Sequence, residues 1–382
     1  MPMMRDDEIQ EAIDRERIGG LTLDTSIFDK YGCHLDFQVF SALGQFEGSR
    51  VAVLLSEMVV GEVRNHIGRD CEEAQRALKA AIKDFKKRWK TAEAFGNGLE
   101  PEIIGPVADS VDAQVSSFLR MSGATIVSAT ADAQIAAEVV RRYFALECPF
   151  ENNKDKKAEF PDAFALLSLE ADARARGALT LCLSQDKGWQ KFCDDSDHLV
   201  CAGDLVDVLG RFRHAGGEVV NTAIQLWREG RAPRLVQEVE REIEYALDGI
   251  DFQPEAEMPT AYESNSHAAT LQTLIADTAT PPTIISSDAD TVTFRTKVQG
   301  LVSFEAEFDA YSYDSLDKDN VLLGTATATK EDSVIFDLVL TVSRKVDGEP
   351  DVIQVDVAPV RVSIDFGYVN VFEDEDPTHE KY

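Results

Sequence analysis

Four acidic residues stand where carboxylates can work together: Asp24, Glu62, Asp162 and Asp186. Asp24 directly follows the apolar run Leu21-Thr22-Leu23, and Asp186 follows Leu179–Leu183 across Ser184-Gln185. Runs of this kind predict strands, so both aspartates fall at carboxyl ends, the edge on which open α/β sheets form their ligand crevices. Glu62 lies just beyond the run 51–55, and on a helix it would flank the apolar face formed by Val59 and Val63. Asp162 follows Pro161, in the first turn of a predicted helix, where the dipole favours a carboxylate. Taken singly, each residue has an ordinary explanation as a helix cap, a first-turn acid or part of a solvated face. Four of them around one strand-end edge go beyond that explanation.

Converging carboxylates repel one another unless a cation neutralises them, and ligation by oxygen alone suits Mg²⁺ or Mn²⁺ over Zn²⁺. Two such ions roughly 4 Å apart activate a water and stabilise the attacking and leaving oxygens of a phosphodiester, so the reaction class expected is phosphodiester hydrolysis.

The elements that must position these groups follow from periodicity. Strands are predicted at 21–23, 51–55, 124–127 and 179–183, and helices near 56–68, 70–91, 130–146 and 161–176, the last closed by Gly177. Alternation of strand and helix predicts an α/β fold, a parallel sheet flanked by helices. From about Gly300 the period changes to two, with Val302, Phe304, Ala306, Phe308 and Ala310 on one face. Further strands at about 291–297, 333–343, 350–358 and 361–369 predict a mainly antiparallel β C-terminal domain. The expected division is residues 1–230, then a helix and linker over 231–284 (helix 233–247, linker 263–284), then an acidic β-rich domain, 285–382, ending in the loose acidic tail Glu373–Asp376.

Composition limits the partners. The 382 residues exceed what one core serves, and 44% apolar content suffices for two. Lys+Arg 38 against Asp+Glu 69 gives a net charge of −31, which argues against a nucleic-acid-coating protein or an anionic-membrane binder. Residues 231–382 hold 11 basic and 31 acidic groups, net −20, which leaves −11 for residues 1–230. No run of eighteen apolar residues and no signal peptide is found, so a soluble, cytoplasmic chain is expected. The six cysteines are scattered without a C-x-x-C pair and are expected as reduced thiols, not zinc ligands.

The four acidic blocks, in this order, resemble the PIN domain, a family of metal-dependent nucleases that includes many bacterial toxin ribonucleases. The resemblance extends over roughly residues 20–200. Asp24-Thr25-Ser26 is similar to the opening motif and Val59-Val60-Gly61-Glu62 to the second. Lys156-Lys157-Ala158-Glu159-Phe160-Pro161-Asp162-Ala163 is similar to the third motif of a larger bacterial subgroup, and Leu183-Ser184-Gln185-Asp186-Lys187-Gly188 to the fourth. The resemblance implies that Asp24, Glu62, Asp162 and Asp186 hold Mg²⁺ or Mn²⁺ and are catalytic, with Ser26, Glu159 and Ser184 supporting them. It further implies cleavage of RNA ahead of DNA, a toxin or defence setting, an antitoxin or other protein partner, and a homodimer. The interval of 100 residues between Glu62 and Asp162 departs from small toxin members, and the β domain has no counterpart in them. A DNA nuclease of the same fold and a degenerate PIN-fold adaptor acting through the β domain stand as alternatives.

A nuclease of net charge −31 needs local positive charge. Arg76, Lys79, Lys83, Lys86, Lys87 and Lys90 fall on one helical face, apart from an apolar stripe of Leu78, Ile82, Phe85 and Trp89. Lys154, Lys156 and Lys157 precede the third acidic block. These lysines are the expected nucleic-acid contacts.

Overall fold

The four apolar runs of the N-terminal half become parallel strands, joined by a fifth at Leu199–Ala202 that the sequence pattern did not single out, and Asp24 and Asp186 stand just past the carboxyl ends of two of them. In the computed structural model, residues 6–88, 106–129, 132–150, 159–212, 216–248, 250–276, 281–314, 319–344 and 350–371 are described. The chain divides into two units, Met1–Ala215 and Gly216–Tyr382.

The first unit runs α1 (Asp6–Asp14), β1 (Ile18–Leu23), α2 (Thr25–Lys30), α3 (Gln38–Ser41) with a 3-10 turn (Ala42–Phe46), β2 (Ala52–Ser56) and α4 (Glu57–Arg88). It continues with α5 (Val107–Ser122), β3 (Thr125–Val127), α6 (Ala133–Ala145), α7 (Phe160–Arg176), β4 (Leu179–Leu183), α8 (Lys187–Asp195), β5 (Leu199–Ala202) and α9 (Leu205–Arg211). The sheet order is β3-β2-β1-β4-β5, and every pairing is parallel. β4 is buried along its whole length and β1 at all positions but Gly19, as expected of central strands covered by helices on both faces. From β1 the chain moves first to β2 on one side and later to β4 on the other, so the topological switch point lies between β1 and β4. The crevice of such a sheet opens there, outside the strand ends.

β1 can occupy the centre because it begins Ile18-Gly19-Gly20. A Cβ on Gly20 would stand 2.6 Å from Thr180 Oγ1 and 2.9 Å from Leu54 Cδ1, and one on Gly19 would stand 2.6 Å from Ala178 Cβ. The strands on either side therefore close over a backbone without side chains.

The helices expected at 56–68 and 70–91 are one 32-residue helix, α4. Gly68, like Gly61 earlier in the same helix, costs only about 1 kcal/mol relative to Ala and does not break a helix in the absence of proline. The Cβ position of Gly68 lies 4.0 Å from Val111 Cγ2 of α5. Leu78 and Phe85, expected on a separate apolar stripe, are exposed, while Trp89 lies outside the described residues. The apolar face that α4 buries is nearer its start, at Val59, Val63 and Ile67.

The second unit has α10 (Gly217–Arg228) and α11 (Pro233–Asp248), then β6 (Asp251–Glu257), β7 (Ala261–Ala276), β8 (Thr283–Ser287), β9 (Thr291–Asp314), β10 (Asp319–Ser343), β11 (Val352–Val357) and β12 (Arg361–Tyr368). The main sheet is antiparallel in the order β11-β10-β9-β7, with β8 also on β9, and β12 pairs with β6 in parallel. Leu235, Val239, Ile243 and Leu247 of α11 join Phe252, Phe294, Phe304 and Phe336 in one core.

Three expectations change here. The boundary falls at 215/216 instead of 230, because α10 contributes Val220 and Trp227 to the second core. The linker expected at 263–284 is mostly strand: β7 pairs with β9 from Ala261↔Tyr311 to Ala276↔Val298. β7 is an edge strand with many solvent-facing positions, so its Ser and Thr residues need no apolar alternation, and β-branched Thr suits an extended backbone. The strands expected at 291–297 and 302–310 are one strand, bridged by Gly300, where a Cβ would come within 2.8 Å of the Phe336 ring.

Gly20→Ala is expected to lower stability by about 1–3 kcal/mol through overpacking at the central strand. Chemical denaturation reads this directly; an unchanged midpoint would mean that Thr180 and Leu54 turn aside at no cost.

Candidate active site

Asp24 is placed by the sheet itself. Its backbone N–H donates to Leu183 O at 2.9 Å, extending the β1–β4 ladder by one rung, and the side chain then leaves the strand end buried, 5% exposed. Oδ1 caps α2 by accepting from the Thr25 N–H at 2.7 Å. Oδ2 accepts from Ser26 Oγ at 2.6 Å and from Ser184 Oγ at 2.7 Å. The capping role and the placement at the sheet edge thus coexist in one carboxylate.

The same serines bind β4's exit to β1's. Ser26 Oγ accepts from the Gln185 N–H at 3.0 Å, and Ser184 Oγ accepts from the Asp186 N–H at 3.0 Å. Asp186 in turn caps α8, with Oδ1 accepting from the Gly188 N–H at 2.6 Å and the Trp189 N–H at 3.1 Å. Gly188 suits this turn: a Cβ there would stand 2.9 Å from Asp186 Oδ1. The Glu159 carboxylate reaches the same turn, its Oε2 4.0 Å from that Cβ position.

Glu62, one turn into α4, is held by Thr25, whose Oγ1 donates to Glu62 Oε2 at 2.6 Å. Asp162, in the first turn of α7, accepts at Oδ1 from the indole N–H of Trp189 at 2.8 Å. Trp189 is fully buried, so it fixes that carboxylate from inside the core. The four acids therefore come from four elements and meet at one end of the sheet.

Their proximity is visible in their electrostatics. Burial raises the Asp162 pKa to about 7, opposed by the Trp189 hydrogen bond and reinforced by the negative charges of Asp24, Glu62 and Asp186. Burial likewise raises that of Asp24, although its hydrogen bonds from Ser26, Ser184 and Thr25 pull the other way and Asp186 adds to the rise. Carboxylates that resist ionising side by side are what a cation relieves. The donor set is all oxygen, which fits a hard divalent ion such as Mg²⁺ or Mn²⁺.

The structure brings together Asp24, Glu62, Asp162, Asp186, Ser26, Ser184 and Glu159. Thr25 and Trp189 join them as positioning residues that sequence reasoning left unassigned. The signals were modest: Thr25 follows a capping Asp, and Trp189 stands three residues after another, with an indole N–H that needs a partner when buried.

The basic face lies elsewhere. Lys79, Lys83 and Lys87 are exposed on α4. At 1.5 Å per residue they lie roughly 26 to 38 Å along the helix from Glu62, too far for the reacting phosphate and suited to phosphates well away from it. Lys86 belongs to α4, but its side chain is outside the described residues, as are Lys90, Lys154, Lys156 and Lys157.

Residues 21–189 match the family model of the PIN domain. That part of the chain is a PIN domain, a nuclease-type fold whose members generally act on nucleic acid and typically use divalent metal ions. No curated protein and no solved structure matches the chain. Among the described residues no helix is long and apolar enough to cross a membrane.

Because Asp162 titrates near 7 when folded and near 3.8 as an ordinary Asp, its contribution to stability is present below pH of about 4 and is lost as pH rises through about 7. Metal-free protein should therefore lose Tm over that window relative to Asp162→Asn. Mg²⁺ or Mn²⁺ should recover most at the alkaline end. Parallel Tm–pH curves for the two proteins would refute the assignment.

Proposed function

We propose that this chain is a metal-dependent endonuclease hydrolysing phosphodiester bonds, in RNA ahead of DNA. The observation that carries the reading is the convergence of Asp24, Glu62, Asp162 and Asp186 at the switch point of a PIN-domain sheet, close enough that three of them raise the pKa of the fourth. The preference for RNA is supported by what PIN domains commonly cleave. A toxin or defence setting, an antitoxin partner and a homodimer rest on the same family likeness.

These carboxylates would hold Mg²⁺ or Mn²⁺, whose chemistry there would be to activate a water for attack and to balance charge on the leaving oxygen. The chain's own contribution is preorganisation. Ser26 and Ser184 aim Asp24 Oδ2, Thr25 aims Glu62, and Trp189 aims Asp162. Three of these donors are themselves locked: Ser26 by the Gln185 N–H across the β1–β4 gap, Ser184 by the Asp186 N–H on its own strand exit, and Trp189 by burial. Such outer partners fix where the ligand oxygens stand before substrate arrives. Lys79, Lys83 and Lys87, far along α4, are suited to retaining phosphates distant from the cut, which offsets the unfavourable net charge.

Purified protein with Mn²⁺ should cut single-stranded RNA, and Asp24→Asn or Asp186→Asn should abolish cutting. Ser184→Ala should lose about 10- to 100-fold in activity or metal affinity. Replacing Lys79, Lys83 and Lys87 by Gln should weaken RNA binding and flatten its salt dependence while sparing turnover at saturation. Parallel single-stranded and duplex DNA substrates decide the nucleic acid. Cutting equally well by Asp24→Asn would sink the site, and failure to bind Mn²⁺ in calorimetry would favour the adaptor reading.

A further inference from the structure

α2 and α4 meet twice. Their first meeting is the Thr25–Glu62 hydrogen bond at the carboxylate site. The second is four residues further along both helices, where Asp29 Oδ1 lies 2.7 Å from His66 Nδ1. The turn that follows α2 brings a thiol to the same point: Cys33 Sγ is 3.4 Å from Asp29 Oδ1 and 4.0 Å from His66 Nδ1. We propose that Asp29, Cys33 and His66 form a second metal site, separate from the carboxylate cluster, that takes a zinc-like, borderline-soft divalent ion. The proposal is independent of the nuclease reading.

The argument is one of ligand chemistry and spacing. A tetrahedral ion about 2.0–2.1 Å from N and O and 2.3 Å from S holds its ligand atoms about 3.3–3.6 Å apart. The three separations here bracket that range, so rotamer adjustments within a preformed trio suffice, and one sulfur, one imidazole and one carboxylate oxygen are brought together. Thiolate and imidazole favour Zn²⁺ over Mg²⁺ or Mn²⁺, which makes this donor set complementary to the all-oxygen cluster.

The local backbone is built around the trio. Gly32 and Cys33 take consecutive positive φ angles, 61° and 55°, and the Cys33 N–H returns to Phe28 O at 2.9 Å. That turn folds Cys33 back onto α2, with the residue 6% exposed. Asp29 and His66 remain partly open, their side chains 49% and 29% exposed, so an ion has an entry path. Without metal the thiol is protonated, and burial with the Asp29 charge holds its pKa at about 12. Metal binding would release that proton to solvent. Three protein ligands leave the fourth position of a tetrahedral ion to water, while Asp70 and Arg69, further along α4, place charges of opposite sign near the same sulfur. The proposal runs against the expectation that no cysteine is a zinc ligand, which the cobalt titration below decides for Cys33. The consequence for the fold is a clamp between α2 and α4, one turn from the contact that aims Glu62.

Cobalt reports such a site without any assay of cleavage. Reduced full-length protein titrated with Co²⁺ alone should develop a near-ultraviolet thiolate-to-cobalt charge-transfer band and intense tetrahedral visible bands. These should saturate near one ion per chain and disappear on adding Zn²⁺. Cys33→Ser and His66→Asn should each lose the charge-transfer and tetrahedral bands, while Asp24→Asn keeps them. Absence of the thiolate band in the unaltered protein, its persistence in Cys33→Ser, or its loss in folded Asp24→Asn would overturn the assignment. Should Cys33→Ser not fold, His66→Asn, at a partly exposed position, decides alone: an unchanged cobalt spectrum overturns the site.

Discussion

Carboxylates gathered at one end of a sheet repel one another, and much of the first unit acts to hold them in place against that repulsion. Asp24 is the centre of the constraint. It is tied by its backbone to β4, by Oδ1 to α2 and by Oδ2 to two serines, one from each of the strand exits it joins. Glu62, Asp162 and Asp186 reach it from three other elements, each through its own hydrogen-bond donor. Desolvation and mutual charge raise the Asp162 pKa, an electrostatic cost of the kind that a bound cation would relieve. Strongly perturbed carboxylates clustered in this way are a common signature of a functional site.

Folding makes that crowding affordable. Two adjacent glycines let β1 lie deep between its neighbours, and Trp189 supplies a hydrogen-bond donor from within a dry core. The closest supports of the site are therefore core residues and helix caps, whose positions are over-determined by packing. Orientation is obtained from elements that have to form for the fold to exist at all.

The second unit is built on other terms. Its long β9–β10 pairing buries an unbroken even-numbered face from Val292 to Ala310, of which Val292, Phe294, Val298, Val302 and Phe304 share a core with α11 while Ala306 and Phe308 pack with Val369 in a separate cluster, and Arg295 meets Asp337 across the pair. Most of the charge imbalance resides in this unit: residues 216–382 contain 12 basic and 33 acidic groups, net −21 of the total −31. The overall charge, which by itself argues against a polyanion substrate, thus says little about the PIN domain, whose excess acidity includes the site's own carboxylates.

The sequence alone determined whatever depends on local order. Strand-helix alternation in the first half and period-two alternation in the second predicted the two sheet types, because burial on both faces or on one face writes itself into the apolar pattern. Asp24 and Asp186 were legible as strand-end residues, since each follows its apolar run almost at once. Element lengths were less legible: α4 ran through the expected division between 68 and 70, and β7 hid as a linker because an edge strand need not alternate. What tertiary structure decided was adjacency. Thr25 beside Glu62, Trp189 beside Asp162, and Asp29 with Cys33 and His66 are pairings across 37, 27 and up to 37 residues that no motif encodes. They exist because a parallel sheet reverses its strand order next to β1 and sends distant helices back to a single edge, and spacing along the chain carries no record of that return.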